Sequence, residues 1–171
     1  LFVSPLELYP DEAQYWVWSR HLTFGYFSKP PLIAWAIRAT TEIGGQAEPW
    51  VRLSAPLFHA LAALALACAG RRLYGAWAGL AAATVYSLMP GVQLSSAVIA
   101  TDAPLMAFLA LAVWAYAVFV TDPSPRRRAL AAAGLGAALG LAMLAKYAAV
   151  YVAAGLVLHA LVSRSARARC G

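Results

Sequence analysis

The chain has 171 residues, of which 63% are hydrophobic and only 12% charged, where about 25% charged is ordinary for a soluble domain. That balance excludes a water-soluble globular domain and makes a membrane protein the default. Thirteen Lys and Arg against seven Asp and Glu give a net charge of +6, but the basic residues sit in short clusters between long apolar runs. This is the pattern of membrane loops, not of a nucleic-acid surface.

The N-terminal stretch "YPDEAQYWVWSRHLTFGYFSKPPL", Tyr9 to Leu32, stands apart from the Ala- and Leu-rich remainder. Asp11 is placed to cap a short helix, Gln14 to complete a capping box, and Pro10 to stop any helix running in. In that helix Tyr15, Trp18 and Leu22 recur on one face, while Trp16 and His21 lie elsewhere. Such a helix lies along the membrane interface, its aromatic rings at headgroup depth. Glu12 is surplus to capping, although an acid in the first turn complements the helix dipole. Gly25 is placed to end the helix. The segment "YFSKPPL" then reads as extended, because Pro30 and Pro31 stiffen the chain and push the residue ahead of them out of the α region. Lys29 is therefore expected on a rigid arm, as a lysine snorkelling to headgroups or as a cation aimed at a phosphate.

A hydrocarbon core about 30 Å thick needs roughly 20 apolar residues of helix. Val51 to Ala69 satisfies this and ends at Gly70, Arg71 and Arg72. Ala76 to about Ile99 follows, with a kink or break expected at Pro90. Ala103 to Val120 is the next span and ends at the breaker cluster "TDPSPRRR". The stretch from Ala129 to Ser163 carries one charge, Lys146. As a single helix it would reach about 50 Å, so two spans meeting near Lys146 are expected. The organisation is then an external loop over residues 1–50, about five spans over 51–163, and a cytoplasmic basic end at 164–171.

The charges divide accordingly. Eight arginines (Arg71, Arg72, Arg126, Arg127, Arg128, Arg164, Arg167 and Arg169) fall on one side with Asp122, a net +7. Arg20, Lys29, Arg38, Arg52 and Lys146 fall on the other with six carboxylates, a net −1. The positive-inside rule puts the arginine clusters in the cytoplasm and the opening stretch outside. Small residues such as Gly136 and Gly140 read as helix-packing positions, and His59 as a packing hydrogen-bonder within its span. His21 and His159 read as ordinary polar residues near the two interfaces. Cys68 and Cys170 are not spaced for a disulfide framework or a metal site. Because it opens on Leu1 without a targeting segment, the chain reads as part of a longer protein.

The order "PDEAQYW", "GYFSKPPLIAW", "RLSAPLFHALAAL", "RRLYG", "SSAVIATDAPLMAF" and "LGLAMLAKYAAVYV" resembles the first half of the membrane-embedded GT-C glycosyltransferases. Within them it is most similar to the bacterial branch related to protein O-mannosyltransferases and to the lipid A aminoarabinose transferase. The resemblance implies an all-α polytopic membrane bundle with a short interfacial helix in its first external loop. It implies a transferase of the inner membrane that takes a sugar from a polyprenyl-phosphate donor to a lipid, glycan or protein acceptor at the outer face. By that likeness Asp11 is the catalytic base, and Glu12, Lys29, Asp102 and Lys146 are substrate-binding residues, Lys29 at the lipid phosphate. Some relatives carry a metal-binding acid just before that lysine. Here the position is Ser28, so neither metal nor other cofactor is expected. The competing expectation is a transporter or flippase segment, in which these charges gate or pair near the midplane of broken helices.

Overall fold

The computed structural model describes residues 7–163, and helices are the only regular elements among them. The first, α1 (Pro10–Ser19), begins two residues earlier than the expected Asp11 cap implies. Tyr9 is its N-cap, Pro10 occupies the first turn where no amide bond is lost, and Glu12, not Gln14, accepts the Tyr9 N–H at 3.0 Å. The helix stops at Ser19, well before Gly25, so Leu22 lies beyond it and is exposed. Its buried face is Glu12, Tyr15 and Ser19.

A second helix that sequence reasoning did not include, α2 (Leu32–Gly44), starts directly after Pro31. The expected extended arm ahead of it is instead bent at residues 27–29, where the Tyr26 N–H closes on the Lys29 carbonyl at 3.1 Å, and Pro31 then serves as the cap. Leu32, Ile33, Ala34, Ile37, Thr40 and Thr41 are buried on one side. The two threonine hydroxyls donate to the Ile37 carbonyl at 3.0 and 2.9 Å, so no polar group is left open there. The helix ends at Gly45, whose φ of +91° is a conformation that suits glycine.

The apolar bundle follows. A short α3 (Glu48–Arg52) leads through Leu53 into α4 (Ser54–Tyr74), and the two together form a 27-residue apolar rod. After Gly75 come α5 (Ala76–Leu88) and α6 (Pro90–Ala97), broken where Pro90 cannot donate to the preceding turn. Then follow α7 (Asp102–Thr121), α8 (Pro125–Ala145) and α9 (Ala149–Val162), with Lys146 in the break between the last two. Among the described residues, Glu48–Tyr74, Asp102–Thr121 and Pro125–Ala145 are long and apolar enough to cross a membrane, and α5 and α9 are shorter apolar helices. By rise per residue, α5 and α6 together cover about 30 Å, the length of α4.

In this bundle α7 is the central helix, packed against α4 on one side and α8 on the other, while α5 packs on α4 and α1 on α2. The ends are fixed by polar contacts. Arg52 and Ile99 both reach Glu12, and Arg72 meets Asp122 at the other end, so α4 and α7 run in the same direction. Side chains grade along the bundle. Branched and aromatic residues, Tyr15, Ile33, Ile37, Val51 and Ile99, fill the core under α1, whereas Ala62, Ala65 and Ala110 fill the middle. Small residues let helix backbones approach where lipid offers no hydrophobic drive. The backbones of α4 and α5 approach closely. A Cβ built on Gly79 would lie 2.5 Å from the Ala67 carbonyl oxygen and 2.9 Å from Arg71 Cβ. Gly136 and Gly140, by contrast, face open space in this chain.

His59 holds the broken return leg to α4. Its Nδ1 and Nε2 lie 2.7 Å from the Tyr86 hydroxyl on α5 and 3.0 Å from Ser95 Oγ on α6. Both ring nitrogens of this buried imidazole are thereby satisfied.

Candidate functional site

The acid pair of α1 divides into two unlike residues. Glu12 points inward and is fully buried. Each of its oxygens takes two donors: Oε1 accepts from Arg52 Nε and the Ile99 N–H, both at 2.9 Å. Oε2 accepts from Arg52 Nη2 at 2.8 Å and the Tyr9 N–H at 3.0 Å. No oxygen is left to contact a sugar or phosphate, so its geometry is that of a clamp. Burial alone would push this carboxyl up. The Arg52 guanidinium and the two backbone donors outweigh that and hold it below the usual carboxylate range. Arg52 is itself saturated, giving a further bond to the Glu7 carbonyl at 3.0 Å and lying 3.8 Å from Glu48.

One residue earlier the helix turns Asp11 outward. Its carboxylate is exposed and makes no hydrogen bond or ion pair with a described residue. Four residues on, the buried Tyr15 phenol is pushed above its ordinary value, chiefly by burial and then by the charges of Asp11 and Asp102. Both carboxylates thus lie within electrostatic reach of one ring. This joins the first turn of α1 to the first turn of α7.

Residues 20–31 form the arm that carries Lys29, and an aromatic lattice fixes it. Tyr26 stacks on Trp18 with ring centroids 4.6 Å apart and planes within 8°. Its hydroxyl donates to the Trp18 carbonyl at 3.0 Å or the His21 carbonyl at 3.1 Å, and accepts the Thr23 N–H at 3.3 Å. The Trp35 indole N–H holds the Thr23 carbonyl at 3.1 Å from α2, and the Tyr26 N–H donates to the Lys29 carbonyl at 3.1 Å. The ammonium of Lys29, half-buried, has no partner among the described residues. Phe24 and Phe27 on the same arm are almost wholly exposed, as aromatic rings are at a lipid interface.

The other two nominated residues meet each other. Lys146, at the end of α8, donates from Nζ to Asp102 Oδ1 at 2.8 Å, and both side chains are partly open to solvent. Of the five nominated residues, Glu12 and the Asp102–Lys146 pair are therefore engaged within the chain. Asp11 and Lys29 keep a free carboxylate and a free ammonium. Sequence reasoning missed Arg52, the partner that makes Glu12 a clamp. The available signal was an arginine inside the outer edge of an apolar run, where a charge needs a counter-charge. Among the described residues no group of three or more His, Cys, Asp and Glu is arranged to hold a metal ion.

Residues 28–170 match the family described as dolichyl-phosphate-mannose-protein mannosyltransferase. Lys29, Asp102 and Lys146 lie inside the matched segment, and Asp11 and Glu12 precede it. The chain is 42% identical over 166 residues to the lipid A galacturonosyltransferase RgtD of Rhizobium johnstonii, a comparison that covers 94% of this chain. It covers 33% of the other, so the chain spans about a third of the length of that curated relative. No solved structure matches. The length of the matched segment and the identity over nearly the whole chain settle the affiliation: the chain belongs to the dolichyl-phosphate-mannose-protein mannosyltransferase family.

Proposed function

We propose that this chain forms the donor-handling part of a glycosyltransferase that moves a sugar from a polyprenyl-phosphate carrier to an acceptor at the outer face of the inner membrane. The observation that carries this reading is the free Asp11 carboxylate and free Lys29 ammonium, left unpaired at the one end of the bundle where every other nominated charge is neutralised. An unpaired acid and an unpaired cation are what a single displacement requires. The acceptor hydroxyl or amine gives its proton to Asp11 and its lone pair to the anomeric carbon. The bond from that carbon to the phosphate oxygen breaks, and the pair leaves with the polyprenyl phosphate, whose growing charge Lys29 stabilises. The anomeric centre inverts.

Glu12 serves by holding the first turn of α1, and with it Asp11, against the start of α7. Asp102 and Lys146 form the second wall, where the ion pair exchanges one partner for a donor phosphate. The ends of α7 and α8 favour this over a transporter, whose ionisable groups belong at the midplane of broken helices. The likeness to a lipid A galacturonosyltransferase favours a lipid-anchored glycan as acceptor.

The test uses the full-length protein in lipid, offered polyprenyl-phosphate sugars and read by mass spectrometry of products. Asp11→Asn retains size and surface exposure, so folding and donor binding persist while turnover falls by about 10² or more. Lys29→Ala weakens donor binding as well as turnover, because its charge meets the phosphate before and during departure. Near wild-type transfer by both variants refutes these roles, and absence of product from the unmodified protein with every donor favours the transporter.

A further inference from the structure

The opposite end of the bundle holds a second constellation that the reaction does not use. Between the ends of α4 and α7 and the start of α8 lies an open groove of about 780 Å³, lined by Cys68, Arg71, Arg72, Trp114, Thr121 and Arg127 among others. A second, nearly all-apolar groove of about 320 Å³ shares Trp114, Val118 and Arg127 with it and continues along α8 past Leu130 to Gly134. The two grooves adjoin at these residues, and together they give a channel-like surface with a cationic mouth and an apolar tail.

The mouth carries three arginines against one carboxylate, Asp122. That carboxylate is buried and already occupied: Arg72 Nη2 donates to it at 2.9 Å, the Ser124 N–H donates to it at 3.0 Å, and Arg127 lies 3.8 Å away. Arg72 is held further by its Nε bond to Thr121 Oγ1 at 2.7 Å. Arg71 is exposed and makes no ion pair with a described residue, and Arg127 is mostly exposed. Two cations therefore stand at the mouth without full compensation, above an apolar floor at the end of helices apolar enough to cross a membrane.

We propose that this channel binds an anionic glycerophospholipid. Its phosphate sits between Arg71 and Arg127, and one acyl chain lies over Trp114 and Val118 toward Gly134. A soluble anion would answer only the arginines and make no use of the apolar tail, and an uncharged lipid would leave the arginines unanswered. Basic pockets between helices at a membrane's cytoplasmic side are suited to anionic headgroups, and the arginine bias puts this end there.

Native mass spectrometry of the full-length protein, titrated with phosphatidylglycerol and with phosphatidylcholine, tests it. Phosphatidylglycerol is expected to bind in clear preference, and Arg71→Ala and Arg127→Ala to weaken it about fivefold each. Both side chains are exposed, so neither change endangers the fold. Gly134→Leu fills the tail from a position with nothing within 4 Å of its Cβ, and is expected to weaken both lipids while leaving the charge intact. Arg128→Ala, outside the channel, is the control and changes binding less than twofold. Equal binding of the two lipids, unchanged affinity in the double arginine variant, or an Arg128 effect as large as that of Arg71 overturns the proposal. So does a stronger preference for polyprenyl phosphate, which would give the channel to the donor's carrier instead.

Discussion

Replacing Glu12 by Ala removes the one side chain that ties α1 to both α3 and the strand-like approach to α7. Four bonds go at once: two from Arg52, one from the Tyr9 N–H and one from the Ile99 N–H. Arg52, only 3% exposed, keeps its contacts to the Glu7 carbonyl and Glu48 but loses its main counter-charge. Removing one partner of a buried pair costs about 3–5 kcal/mol, and the stranded Ile99 amide adds to that. The cost falls on the contact between α1 and the bundle, so it appears as local opening. Hydrogen exchange of α1 amides is expected to accelerate by about 10² to 10³, while α7 and α8 amides change little. Sugar transfer falls in parallel, because Asp11 sits one residue from the lost clamp. A double variant, Glu12→Met with Arg52→Met, leaves no orphaned charge and is expected to recover most of the protection of α1. If Glu12→Ala alters α1 exchange by less than fivefold, the clamp does not hold the helix and its role in positioning Asp11 is refuted.

The same carboxylate gives a pH dependence. Its folded value lies below the ordinary 4.5, so its contribution is complete above that value and is lost as pH falls through the lower, folded one. Protection of α1 is expected to be flat from neutral pH to about 5 and to drop only under stronger acid, an effect absent in the double Met variant. For topology, with Cys68 and Cys170 replaced, a cysteine at Ser28 should react with an impermeant thiol reagent in intact cells and one at Ser124 should not. Labelling at Ser124 from outside would reverse the orientation. At the crossing of α4 and α5, Gly79→Ala should cost about 1–3 kcal/mol of thermal stability by overpacking, whereas Gly136→Ala, with nothing within 4 Å, should cost almost none. Equal effects at both glycines would show that the 2.5 Å approach at Gly79 does not limit the packing.

What could be read in the sequence follows from the range of each interaction. The break at Pro90 is a one-residue effect, because a missing N–H interrupts the ladder wherever it falls, and the apolar rods are set by composition alone. The α2 helix was hidden because Lys-Pro-Pro reads locally as extended. The chain instead bends at residues 27–29 and the helix starts after Pro31, an outcome that only packing of Ile33 and Ile37 under Tyr15 fixes. The N-cap of α1 lies two residues before the expected one because Asp11 and Glu12 are equally good as first-turn acids. Their difference lies in which one faces Arg52, 40 residues away. The candidate site was half legible: the residue types at Asp11, Lys29, Asp102 and Lys146 could be nominated, but not that Asp102 and Lys146 would neutralise each other.

The bond from the Ile99 amide to Glu12 joins positions 87 residues apart, and that separation sets an order of events during synthesis. A chain emerging at roughly 5–20 residues per second delivers Ile99 several seconds after Glu12. Through that interval Glu12 and Arg52 can find each other, yet the fourth bond waits until α4, α5 and α6 have all been delivered. The segment bearing Asp11 thus takes its final seat late. The Asp11 carboxylate is locked in place only when the helices behind it are complete, so under the role proposed for Asp11 a half-made bundle presents no finished site.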